Sequence, residues 1–227
     1  MADNYYIDLA SISLSNYEKE LQNAELLPSR KIIKDDIENR FRILSQCGVN
    51  NLNDILTFLK TPDKVKEFAH KSGLSIEYLS ILKREIASSQ PKPVALSEFP
   101  GIKKETVVKL EQLAIKNTKQ LFNFIKTDAD RKDLCKKTGI SNGEILELTK
   151  LTDVSRIKWV GANFARLLVD SPFDTVEKVS NADYVIVYEA LAKINKEKNY
   201  FKGMFGLNDM KLCVIAAKNV PAAISYY

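Results

Sequence analysis

Histidine and tryptophan each occur once in this chain of 227 residues, and cysteine three times. A single histidine, His70, leaves no His-based catalytic triad and no His-rich metal site. Cys47, Cys135 and Cys213 are far apart and odd in number, so no disulfide framework is expected. Each falls in an apolar helical pattern that suits a small buried thiol. Eight glycines and 7 prolines exclude a collagen-like chain. No run approaches 18 apolar residues, so no membrane-spanning helix and no membrane partner is expected. Met1-Ala2-Asp3-Asn4-Tyr5-Tyr6 has neither a basic nor an apolar leader region, which points to a cytoplasmic protein. Phosphate-loop, dinucleotide and EF-hand spacings are missing too. The expectation is a non-enzymatic protein with no catalytic residues, no metal and no cofactor.

What is present is an ordinary globular balance, 45% apolar and 28% charged, with a net charge of +5. Strand signals are weak and 3.6-residue periodicity is common, so the fold class is all-α. Helix punctuation is clear. Ser15-Asn16-Tyr17-Glu18 and Ser141-Asn142-Gly143-Glu144 read as capping boxes. Thr61-Pro62 places a cap before a first-turn proline. Gly73 and Gly139 stand where helices should stop. Ala87-Ser88-Ser89-Gln90-Pro91-Lys92-Pro93 reads as a linker, because its prolines cannot continue a helix.

Self-similarity is the most informative feature. Shifted by 66 residues, Ile55–Ile86 lies over Leu121–Thr152 with 8 identities in 32 positions, among them Thr61/Thr127, Gly73/Gly139 and Ser75/Ser141. A further helix recurs upstream, through Phe41 and Leu44, through Val107 and Leu110, and through Phe164 and Leu167. The expected organisation is three related modules: 1–90 with a lead helix over 1–29, 91–150, and 151–227. Each is small enough to need its neighbours for stability. The apolar Tyr5-Tyr6-Ile7 and Ala222-Ala223-Ile224-Ser225-Tyr226-Tyr227 would close the fold or meet another chain.

Two of the modules open on Phe99-Pro100-Gly101-Ile102-Lys103-Lys104 and on Arg156-Ile157-Lys158-Trp159-Val160-Gly161. Both resemble the helix-hairpin-helix pattern, in which apolar, Gly, apolar and Gly positions precede a helix. The chemistry of that pattern is an anion site. Glycines let the backbone approach a phosphate, and the free N–H groups of the following helix point at it. Such contacts read the nucleic-acid backbone and carry no base sequence. Each copy keeps one glycine: Lys103 stands where the second belongs, and Trp159 where the first belongs. Trp159 could stack on a base, though a place in a core or an interface is expected. Asp35-Asp36 at the matching place in the first module would repel phosphate.

Charge follows the same division. Residues 1–95 hold 13 Lys+Arg against 13 Asp+Glu; residues 96–150 hold 11 against 8, and residues 151–227 hold 10 against 8. The whole excess thus lies with the two hairpin glycines. Gly101, Lys103, Lys104, Arg156, Lys158, Gly161 and Arg166 are the candidate phosphate-binding residues. From Arg156 through Val179, with Asp174-Thr175-Val176-Glu177 and the Asn-bearing helix Ala190–Lys198, the chain resembles an uncharacterised microbial helix-hairpin-helix-like domain family of unknown function. That resemblance implies a helical fold and, by analogy with other helix-hairpin-helix proteins, DNA binding. With the internal repetition, the expectation is tandem helix-hairpin-helix-like (SAM-like) modules packed together that bind double-stranded DNA non-specifically. A protein-interaction or scaffold module, with degenerate hairpins serving only as packing corners, is the alternative.

Overall fold

The computed structural model describes residues 4–226. Among them the regular structure is helical, with isolated bridges only at Ser13–Asn51 and Ala95–Asn117. The chain divides into two compact units: Asp8–Ser89, and the stretch from Gln90 onward joined by the residues up to Ile7.

The N-terminal unit holds α1 (Leu14–Asn23), a 3₁₀ segment (Pro28–Lys34), α2 (Ile37–Gln46), α3 (Leu52–Phe58), α4 (Pro62–Ser72) and α5 (Ile76–Ala87). Thr61 caps α4 ahead of Pro62, and Gly73 ends it in the left-handed region at φ 73°. The expected box on Ser15 is corrected: Ser13 is the cap and accepts from the Asn16 N–H. The reason lies 36 residues away, where the Asn50 carbonyl accepts from the Leu14 N–H and sets the helix start. Asn51 and Asp54 form a reciprocal capping box on α3. Leu14, Phe41, Leu44, Ile55, Leu79 and Leu82 bury the apolar faces of these helices against one another. Each such side chain contributes roughly 1.5–3 kcal/mol.

The C-terminal unit holds α6 (Lys104–Glu111), α7 (Thr118–Phe122), α8 (Asp128–Thr138), α9 (Asn142–Val154), α10 (Ala162–Val169), α11 (Val176–Ser180), α12 (Tyr184–Lys198) and α13 (Leu207–Lys218). In α9, Ile145, Leu148, Leu151 and Val154 recur every three residues and are fully buried. They face α7, α8 and α10, so α9 is the axis of this core. Helices α7, α8 and α9 begin 66 residues after α3, α4 and α5, behind Asn117, Thr127 and Ser141 as caps. Helices α10 and α11 begin 58 residues after α6 and α7.

Both chain ends fold onto the C-terminal unit. The Tyr5 hydroxyl meets the Thr118 hydroxyl at 2.6 Å and its ring lies edge-on to Phe122. Near the other end, the Ser225 N–H donates to the Lys126 carbonyl. Met1–Asp3 and Tyr227, which entered the readings of the leader and of the apolar C-terminus, lie outside the described residues.

Candidate nucleic-acid interface

The first turn rests on Phe99, which is buried beneath it. The Phe99 carbonyl accepts from the Ile102 N–H at 3.4 Å, with Pro100 and Gly101 between them. Gly101, at φ 84°, takes the left-handed conformation that the third position of such a turn requires. Lys103 then caps α6 in extended backbone, φ −68°, a conformation open to any residue. Lys103 makes no side-chain cap hydrogen bond, which leaves the first N–H groups of α6 without a capping acceptor.

The second turn has the same build. Buried Ile157 accepts from the Val160 N–H at 3.1 Å, Trp159 takes the left-handed conformation at φ 70°, and Gly161 precedes α10, again with no side-chain cap. Trp159 stands at the position of Gly101, 58 residues on, and adopts the conformation of the glycine it replaces. A bulky side chain there costs roughly 1–2 kcal/mol. Of the two places expected for Trp159, the core is corrected: it is 45% exposed, with the Lys158 ammonium 4.4 Å from its ring centroid.

The remaining candidates divide into two groups. Lys103, Lys104 and Gly161 lie on the surface and Lys158 is half-buried. Lys103 pairs with Glu144 at 3.0 Å, which raises the lysine above its ordinary range. Hydrogen bonds from Ser141 and Lys103 hold the Glu144 carboxyl down at about 2. Lys104, at the first position of α6, is exposed. Arg156 and Arg166 are the other group, and both point inward. Arg156 is 3% exposed. Its guanidinium donates to the Asp153 carboxylate at 2.9 Å and to the carbonyls of Tyr5, Asn4 and Pro221. Burial pushes the Asp153 carboxyl above its ordinary range, against the opposing pull of Arg156. Val176 N–H and Tyr226 OH complete its shell, each at 3.0 Å. Arg166 is held by Glu147, Asp170 and the Pro100 carbonyl, so it braces the first turn from α10. Sequence reading missed Glu144 as the partner of Lys103 and treated it only as a cap.

A family model described as a domain of unknown function, DUF4332, matches residues 100–219. The chain belongs to that family. The DUF4332 match opens inside the first turn and runs one residue past α13, so it takes in both turns, Glu144 and the Asp153–Arg156 pair. Neither the curated proteins nor the solved structures hold a match to the chain. Among the described residues no helix is long and apolar enough to cross a membrane, and no cluster of three His, Cys, Asp or Glu side chains could hold a metal ion.

Proposed function

We propose that the C-terminal unit is a helix-hairpin-helix-like module that binds double-stranded DNA through its phosphates, without sequence preference and without catalysing a reaction. One observation carries this reading. Two turns 58 residues apart share a left-handed third residue, and each leads into a helix whose first N–H groups no side chain caps. A phosphate oxygen is the natural acceptor for such groups, and the helix dipole favours its charge. Gly101, Lys103, Lys104, Lys158 and Gly161 form the contact set. Arg156 and Arg166 serve it indirectly by anchoring the segments on which the turns sit. The test is titration of a fluorescent duplex at two salt concentrations. Binding that weakens with salt, and weakens further in K103E/K104E, supports the reading; binding indifferent to both overturns it.

Exposed Trp159 and Val108 favour a second reading, a protein-interaction or scaffold module of the same cytoplasmic protein. The W159A variant separates the two. No duplex binding by the parent chain at low salt, with loss of a co-purifying protein in W159A, supports the scaffold.

A further inference from the structure

The N-terminal unit carries an open groove of about 460 Å³ along α4 and α5. Pro62, Val65 and Ile76 give it an apolar surface, and Lys66, Lys83 and Arg84 line it with positive charge. Ile76 is 50% exposed there. The Lys66 ammonium lies 3.4 Å from Asp63, and Lys83 donates to the Lys60 carbonyl.

The C-terminal unit shows what this kind of surface holds. Its α8 and α9 begin 66 residues after α4 and α5, with the same Thr and Ser caps and the same glycine stop. On them lies an extended segment of the chain itself. The Ser225 N–H donates to the Lys126 carbonyl at 2.8 Å, and Arg131 donates to the Ser225 carbonyl at 2.7 Å. Tyr226 lies by the Arg131 guanidinium, donates to Asp153 and borders a cavity with Leu146 and Lys150. The positions 66 residues before Arg131, Leu146, Lys150 and Asp153 are Val65, Ser80, Arg84 and Ala87, and all four line the open groove. The same face is covered by extended chain in one unit and open in the other.

The exchanges between the two faces specify the occupant. Two polar anchors for the strap, Arg131 and Asp153, are replaced by Val65 and Ala87. Thr149 is replaced by Lys83, which occupies the Lys60 carbonyl, the counterpart of the Lys126 carbonyl that takes the Ser225 N–H. Backbone pairing gives way to apolar contact; Lys83 makes up for the cation lost with Arg131, and the loss of the Asp153 carboxylate leaves the face more positive. We propose that the α4–α5 groove docks an extended acidic peptide of a partner protein, with a large apolar side chain against Val65 and Ile76 and carboxylates on Arg84 and Lys66. Charge-assisted pairing of this kind orients a peptide, and the apolar pocket selects its central residue.

The probe is a fluorescein-labelled peptide, Asp-Asp-Ala-Ala-Ile-Ser-Tyr-Asp, titrated into the full chain and followed by anisotropy. A second peptide has Asn for every Asp. Binding of the acidic peptide is expected to weaken at least tenfold in I76D and in R84E, and to be unchanged in K193E, a charge reversal on α12. The Asn peptide should bind at least tenfold more weakly. Circular dichroism establishes that each variant is folded. No binding, equal binding of the two peptides, or binding indifferent to I76D and R84E overturns the proposal. So does a dimer in sedimentation that I76D converts to monomer, since the groove then seats a second copy.

Discussion

Replacing Arg156 by Met should destabilise the C-terminal unit by about 3–5 kcal/mol, the cost of stranding one member of a buried ion pair. The structure gives the terms. Asp153 is buried and would keep only the Val176 N–H and the Tyr226 hydroxyl as donors. The carbonyls of Asn4, Tyr5 and Pro221 would lose their shared donor at the same time, so both chain ends would loosen. The R156M/D153N double variant removes the stranded charge and should be more stable than R156M alone. The deficit should also narrow as the pH falls. Burial already raises the Asp153 carboxyl, so the native state takes up its proton before the unfolded chain does, and the protonated form needs no counter-ion. The assay is urea unfolding followed by the fluorescence of Trp159, the only tryptophan, which reports on this unit. A loss below about 1 kcal/mol together with weakened DNA binding would refute this reasoning and return Arg156 to the phosphate-binding set.

Three further outcomes follow from the same geometry. G101A should cost about 1 kcal/mol by urea unfolding, from its left-handed backbone alone, because an added Cβ meets nothing closer than the Arg166 guanidinium at 3.9 Å; G161A, at φ −91° and in open space, should cost close to nothing. E144Q should tighten duplex binding by releasing Lys103. In the parent chain, nuclear magnetic resonance should show the Glu144 carboxyl titrating at about 2, so its support for Lys103 is complete above the ordinary 4.5 and fades as the pH falls toward 2. Cys213, buried and with its thiol pushed up to about 12, should resist a thiol reagent in the native chain and react at a rate set by urea.

Local punctuation was legible in the sequence because its causes are local. Thr61, Pro62 and Gly73 set the ends of α4 through contacts within four residues, and Thr127 and Gly139 do the same for α8. Readings failed where a distant group decides. Ser13 replaces Ser15 as a cap because Asn50 receives the Leu14 N–H. Arg156 sits beside Ile157 and Lys158 in the sequence and looks like a surface cation. Its acceptors at Asn4, Tyr5 and Pro221 are 152, 151 and 65 residues away, and nothing in its neighbourhood announces them. Trp159 departs from the hairpin pattern by residue type and keeps it by conformation, a distinction that only φ shows. Lys103 is the reverse case: a glycine is missing where the backbone does not need one.

The central claim is that the two uncapped turns take phosphates. The direct measurement is the salt dependence of duplex affinity for the parent chain and for the K103E/K104E/K158E variant. The predicted result is an affinity that falls as salt rises, with a log–log slope shallower by about 3 in the variant, roughly one for each lost phosphate contact. Equal slopes in the two proteins, or no duplex binding at low salt, would contradict it.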